Sequence, residues 1–358
     1  MNILIEAGDI NPHFAEGTKN ITLTHAKELV RRKHNIIILT RRKSRITKIK
    51  HPQRYEEMDG IKFYRWNNYL DFIFLYKKLI KKEEIDLIHI FSKGLKPLNY
   101  IKFLKSILKK PVVFSSTGFP YSKKYSKKRF IETVKNVNLM IMTSNYIFKK
   151  TENFLDKNYS YVPYGVDLNK FKSKKRKKRK EIKIACLRPP KKEILNVFKK
   201  ISDEIENIIF IFNKKHFEES DSLKEFIKNK KIRTKIIPKL KNLSVLLNDI
   251  DLLVDLHNNK KYLECASPPL LILESMACET KVISTRMGEI SEVLKNNKNG
   301  FLVKKNNYEQ IYKTIKKALK TKILIGKNAR KTIIEKYDIK KVIRRYEKIY
   351  KTIINSNN

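Results

Sequence analysis

The sequence is poor in residues that cross-link or punctuate a chain. Among 358 residues there are 3 cysteines, 9 glycines, 11 prolines and 1 tryptophan. Cys186, Cys265 and Cys278 lie far apart and form no Cys-x-x-Cys pair. That spacing argues against a disulfide framework or a zinc cluster and favours a reducing compartment. No apolar run reaches the roughly 18 residues that a membrane span needs. Met1-Asn2 ahead of Ile3-Leu4-Ile5 is too short for a signal peptide and reads as a first strand. Acidic residues are scarce as well: 36 Asp plus Glu stand against 81 Lys plus Arg, a formal +45.

What is present suffices for packed domains. At 41% hydrophobic and 10% aromatic residues, general disorder is excluded. The length suits two domains of roughly 150 to 200 residues each. Lysine pairs recur along the whole chain, as at Lys109-Lys110, Lys149-Lys150 and Lys199-Lys200, amid many Ile and Asn. This spread fits solvated faces and a general compositional bias. A diffuse positive surface also attracts anionic lipid headgroups. Zinc-finger, RNP and basic-zipper patterns are missing, which sets specific nucleic-acid recognition aside.

Short apolar runs alternate with amphipathic segments. Strands are predicted at 2–7, 35–40, 61–66, 86–91, 111–115, 137–143 and 159–162, with helices at 20–33, 71–82, 95–108, 126–136 and 144–155. The basic stretch 172–180 has no apolar period and reads as a boundary. Beyond it, strands at 182–186, 207–212, 234–237, 252–255, 281–284 and 301–303 alternate with helices at 192–205, 222–229, 243–249, 270–277, 290–295, 308–319 and 329–336. A last amphipathic helix is predicted at 339–354. Such repetition implies an α/β chain with two doubly wound parallel sheets, whose carboxyl ends face a ligand cleft.

The most informative segment is Ser267-Pro268-Pro269-Leu270-Leu271-Ile272-Leu273-Glu274-Ser275-Met276-Ala277. Proline is tolerated at a helix start, where its missing N–H would be unpaired anyway. The N–H groups of Leu270 and Leu271 then form an anion site at the positive end of the helix. Glu274, four residues after Leu270, shares its face and is suited to accept hydrogen bonds from ribose hydroxyls. On pattern alone it also reads as a surface glutamate of an amphipathic helix. Gly17, in Glu16-Gly17-Thr18 after the first strand, lets backbone approach a ligand closely.

This proline-started segment, Met287-Gly288-Glu289-Ile290-Ser291-Glu292 and Asn299-Gly300-Phe301-Leu302-Val303 together resemble the donor-binding signature of family 4 glycosyltransferases. Asp251 resembles the family's aspartate ahead of the donor-binding loop. Tyr161-Val162-Pro163-Tyr164-Gly165-Val166-Asp167 resembles its domain crossover, and Glu335-Lys336-Tyr337-Asp338 the start of its C-terminal helix. Arg188-Pro189-Pro190-Lys191-Lys192 resembles the family's diphosphate-holding Arg and Lys. The resemblance implies a GT-B fold of two Rossmann-like domains, 1–168 for the acceptor and 169–335 for the donor, with 336–358 returning to the first. It implies hexosyl transfer with retention from a nucleotide-sugar to a glycan or lipid-linked hydroxyl, without metal or cofactor, as in cell-envelope glycan biosynthesis. The expected site is Arg188 and Lys192 on the diphosphate, Pro269, Leu270 and Leu271 at the phosphate, Glu274 on the ribose, and Gly17 across the cleft. The expected setting is cytoplasmic, with the basic surface suited to the inner face of the cell membrane.

Several family positions differ. The first of two glutamates falls on Ala266, with Glu264 two residues away; the glycine after the helix falls on Glu279, and the following proline on Lys281. Ser116-Thr117-Gly118 stands where a histidine is common, and His89 is either structural or acceptor-facing. A non-catalytic nucleotide-sugar binder and a polyanion-binding protein therefore stay as alternatives.

Overall fold

In a computed structural model, the described residues are 1–8, 10, 17–44, 48–92, 100, 102, 109–116, 127–154, 158–175, 180–228, 232–238, 242–257, 269–321 and 324–357. Among them, one compact unit holds 1–165 and 337–357, and the other holds 166–257 and 269–336.

The first unit is built on an eight-stranded sheet. Its strands are β1 (Asn2–Ala7), β2 (Asn35–Arg41), β3 (Tyr55–Met58), β4 (Ile61–Trp66), β5 (Leu87–Ser92), β6 (Val112–Ser116), β7 (Leu139–Met142) and β8 (Tyr159–Tyr161), in the order β3-β4-β2-β1-β5-β6-β7-β8. All neighbours run parallel except β3, which is antiparallel to β4. Helices α1 (Gly17–Arg31), α2 (Tyr69–Lys82), α3 (Lys127–Lys135) and α4 (Asn145–Thr151) belong to this unit. Hydrophobic clusters lie on both faces of the sheet, which is why Ile36-Ile37-Ile38-Leu39 is buried without alternation.

Strand β3 was not anticipated. Its Glu56 and Glu57 hide the apolar period, but Asp59 and Gly60 at φ 55° and 71° make the turn that joins it to β4. A two-residue Asp-Gly hairpin with both φ positive is a sequence signal in itself. The helix predicted at 95–108 lies outside the described residues apart from Tyr100 and Lys102, as do 176–179 of the basic stretch.

The second unit contains a six-stranded, all-parallel sheet. Strands β9 (Ile182–Cys186), β10 (Ile208–Asn213), β11 (Thr234–Ile237), β12 (Leu252–Asp255), β13 (Lys281–Thr285) and β14 (Phe301–Val303) stand in the order β11-β10-β9-β12-β13-β14. Its helices are α5 (Lys192–Glu204), α6 (Lys214–Glu218), α7 (Asp221–Lys228), α8 (Leu243–Asp249), α9 (Leu270–Ala277), α10 (Ile290–Val293), α11 (Tyr308–Lys320) and α12 (Leu324–Lys336). The short α6 has no buried residue, which explains why no apolar period announced it.

The last helix, α13 (Ile339–Asn355), returns to the first unit. Asp338 caps it by accepting from the Lys340 N–H, and Ile339, Val342, Ile343, Tyr346, Tyr350 and Ile353 form its buried stripe. The chain at Gly165 passes so close that a Cβ there would lie 2.6 Å from Ile339 Cα. Only glycine fits.

Under α13 runs a buried polar chain. His25 Nε2 lies 3.0 Å from Tyr350 Oη, Tyr350 Oη 2.5 Å from His89 Nδ1, and His89 Nε2 2.7 Å from Ser115 Oγ. His89 is therefore structural. Burial pushes the His25 pKa down to about 3, and burial with the neighbouring His25 pushes His89 well below its ordinary value. A lowered histidine pKa means that the unfolded chain binds more protons between pH 6.5 and 3. Stability is therefore complete above pH 6.5 and falls as the pH drops below it. For His25 alone the loss is about 2 kcal/mol at pH 5. Urea titrations should show the unfolding midpoint decreasing from pH 7 to pH 5, with a shallower decrease in His25→Gln. A midpoint independent of pH over this range contradicts the buried neutral pair.

Candidate active site

Strands β9, β12 and β13 are parallel neighbours, so the chain leaves all three at one edge of the second unit's sheet. Ligands of doubly wound sheets bind at that edge. Arg188 follows β9 by two residues, and Lys192 opens α5 four residues later, with an exposed side chain. Asp255 ends β12. Pro269 precedes α9, which joins β12 to β13 and therefore starts at the same edge.

A buried carboxylate fixes Arg188. Its Nε donates to Asp255 Oδ1 at 2.6 Å, and His257 Nε2 lies 3.0 Å from Asp255 Oδ2. The Asp255 side chain has no solvent exposure, and that of Arg188 keeps 26%. Two further bonds tie this corner to β13: Ser284 Oγ donates to the Asp255 carbonyl at 2.6 Å, and the His257 N–H donates to Thr285 Oγ1 at 3.0 Å. Burial alone pushes the Asp255 carboxyl up, but the Arg188 charge and the His257 bond hold it below its ordinary value. Burial, with Asp255 nearby, pushes the Cys186 thiol up to about 12, so it is no nucleophile near neutral pH.

Helix α9 has the expected proline start. The first bonds inside it are donated by Ile272 and Leu273 to the Pro269 carbonyl, at 3.0 and 3.3 Å. The N–H groups of Leu270 and Leu271 therefore stand ahead of the helix's own ladder. Glu274 is half-buried, one turn in; its carbonyl accepts from the Cys278 N–H at 3.2 Å, and its carboxylate makes no hydrogen bond or ion pair among the described residues. Burial raises its pKa to about 7, against the lowering influence of Lys170.

The other end of α9 is firmly held. Glu279 has φ 59°, its N–H donates to the Met276 carbonyl at 3.1 Å, and the Thr280 N–H donates to the Ser275 carbonyl at 3.0 Å. That is a Schellman cap. A change of cap geometry is the expectation at a non-glycine residue; Glu279 instead keeps the left-handed geometry, at a cost of roughly 1 kcal/mol. Lys281, at the family's proline, donates to the Ala318 and Thr321 carbonyls at 2.7 and 2.9 Å and so caps α11.

Other expectations fall elsewhere. Asp251 sits at the opposite edge of the sheet, where its Oδ2 accepts from the Lys183 N–H at 2.8 Å and joins β12 to β9. Gly17 belongs to the first unit and is the first residue of α1, not part of a loop. Glu264, Ala266, Ser267, Pro268, Thr117 and Gly118 lie outside the described residues. Sequence reasoning missed Asp255 and His257. The available signal was an acidic residue ending an apolar strand with a histidine two positions on.

Two family models account for nearly the whole chain. Glycosyltransferase Family 4 matches residues 15–170, and Glycosyl transferases group 1 matches residues 166–338. The chain belongs to glycosyltransferase family 4. A curated relative of this family 4 chain is the N-acetyl-alpha-D-glucosaminyl L-malate synthase of Bacillus anthracis, 25% identical over 170 residues. The match spans 46% of this chain and 42% of that relative's length. Among solved structures, a glycosyltransferase from Rickettsia africae superposes with a TM-score of 0.77 at 19% identity, over 99% of this chain and 98% of that one. Anabaena HepE, in complex with UDP and glucose, superposes with a TM-score of 0.71 at 13% identity, over 98% and 100%. The TM-score for sucrose-phosphate synthase from Thermosynechococcus elongatus is 0.75 at 13% identity, over 99% of each chain. The family 4 chain thus has the GT-B fold of these glycosyltransferases, with two parallel-sheet units and a C-terminal helix returning to the first.

Proposed function

We propose that this glycosyltransferase moves a hexosyl group from a nucleoside-diphosphate sugar to a hydroxyl acceptor, with retention and without a metal. The observation that carries this reading is the Arg188 guanidinium, fixed by buried Asp255 at the sheet edge where α9 begins. Arg188 and Lys192 bind the diphosphate, and their charges stabilise it as the bond to the anomeric carbon breaks. The Pro269-started turn offers the Leu270 and Leu271 N–H groups to a phosphate. Ionised Glu274 accepts from the ribose hydroxyls. The acceptor oxygen bonds to the anomeric carbon on the face the phosphate leaves, and its proton passes to the departing phosphate oxygen.

The UDP and glucose in the Anabaena complex, and the ADP in a starch synthase IV complex, support the donor class. A fold shared with WaaG, a glycosyltransferase involved in lipopolysaccharide biosynthesis, supports a cell-envelope glycan or lipid-linked acceptor. The free thiol of Cys186 supports a reducing, cytoplasmic setting.

Thermal-shift screening against UDP-, GDP- and ADP-sugars should reveal one donor that raises the melting point, since a ligand bound only by the native state stabilises it. That donor should be consumed in turnover that Arg188→Ala abolishes, and the anomeric coupling constant of the product should match that of the donor. Ala266 at the family's first glutamate favours a second reading, a binder without turnover. Saturable donor binding with no hydrolysis or transfer selects it.

A further inference from the structure

Helix α2 is two-sided in an unusual sense. Phe72, Tyr76 and Leu79 are buried against the first unit's sheet. Its solvent side should then be polar, yet it begins with Tyr69, Leu70 and Phe74 at 58%, 78% and 66% exposure. Lys77, Lys78, Lys81 and Lys82 follow, all exposed. At about 100° per residue, Leu70, Phe74, Lys77, Lys78 and Lys81 fall within an arc of roughly 100°. The helix thus presents one outward ridge, apolar at its amino end and cationic beyond.

The neighbouring acids do not neutralise this ridge. Asp71 accepts from the Asn67 N–H at 2.9 Å and pairs with Arg54. Glu83 pairs with Lys62 at 2.6 Å. Glu84 lies beyond the helix.

Three occupants fit an exposed apolar ridge in principle. A second copy of this chain would bring lysines against lysines in a two-fold contact. A protein partner is disfavoured because protein interfaces are depleted in lysine. Exposed aromatic and leucine side chains beside lysines are the composition of helices that lie on anionic bilayers. The formal +45 of the chain adds long-range attraction to the same surface. Among the described residues no helix is long and apolar enough to cross a membrane, so contact is along the surface.

We propose that α2 is a membrane-contact helix. Leu70 and Phe74 enter the headgroup–acyl boundary of an anionic bilayer, and Lys77, Lys78 and Lys81 meet lipid phosphates. This surface is independent of the donor chemistry, so either reading can fail alone.

The full chain is sedimented with vesicles of phosphatidylglycerol and phosphatidylcholine, and with vesicles of phosphatidylcholine alone. Binding to the mixed vesicles should exceed that to the neutral ones by at least about tenfold. Leu70→Ser/Phe74→Ser should weaken it by about tenfold or more. Lys77→Glu/Lys78→Glu/Lys81→Glu should weaken it by roughly a hundredfold, at about fivefold for each lysine lost. The control Lys313→Glu/Lys317→Glu/Lys320→Glu makes the same charge change on exposed α11 positions and should have a much smaller effect. Unchanged melting temperatures establish that the variants fold. Equal losses in the two lysine triples overturn the proposal, because attraction would then belong to the whole charge. So do equal binding to neutral vesicles, failure to bind mixed vesicles, or a dimer that Leu70→Ser/Phe74→Ser dissociates.

Discussion

Glu274→Gln is expected to stabilise the protein at pH 8 by about 3 kcal/mol while weakening donor binding about tenfold or more. Burial holds the Glu274 pKa at about 7, against the ordinary 4.5. A carboxyl whose folded pKa is raised contributes stability that is complete below pH 4.5 and lost as the pH rises through 7. At pH 8 the wild type must therefore keep a charge half-buried, and the amide variant is freed of that penalty. Near pH 4.5 the two proteins should be equally stable. Donor affinity runs the other way. The charged form accepts the stronger hydrogen bonds from ribose hydroxyls, so wild-type affinity should fall as the pH drops below 7, while the variant's stays flat. Urea unfolding at pH 5 and 8, with calorimetric donor titrations, reads both effects. Equal stability of the two proteins at pH 8, or an unchanged donor Kd, refutes the assignment.

Arg188→Ala should lower turnover by 100-fold or more, as expected on removing one stabilising donor, and destabilise the fold by about 3 kcal/mol. The second effect arises because Asp255 has no solvent exposure and loses its cation. Asp255→Asn should be milder in stability, about 1–2 kcal/mol, because the partly exposed guanidinium can turn to water. It should still reduce kcat more than it raises KM, because Arg188 is no longer held in place. Arg188→Lys keeps the charge but loses the planar Nε–H that meets Asp255, so only partial recovery is expected. Wild-type turnover in Arg188→Ala removes this arginine from the chemistry. Unaltered stability in the same variant contradicts the buried pair.

The α9 start and the Arg188 turn were legible because each depends on a few adjacent residues. Pro269 announces a helix that needs no N–H at its first position, and an apolar run must then bury one face. Strand β3 was missed although Asp59-Gly60 carries its hairpin signal, since two glutamates masked its period. Gly17 was displaced by only a few residues, within the usual uncertainty of helix ends. His89 could not be assigned from its strand alone. Its environment is set by Tyr350, 261 residues away, on a helix whose docking site is invisible to local pattern.

By itself the sequence determined the alternation of strands and helices, the proline-capped helix and the basic turn after β9. These follow from backbone sterics and from a burial period of a few residues. The tertiary structure decided that Asp255, 67 residues from Arg188, is the buried anion that orients it. Strand order places β12 beside β9, and that order is set by crossovers whose lengths and apolar patterns suit several arrangements. Whether a charge can stay buried depends on which partner the assembled sheet brings to it, and that partner is specified only when distant strands pair.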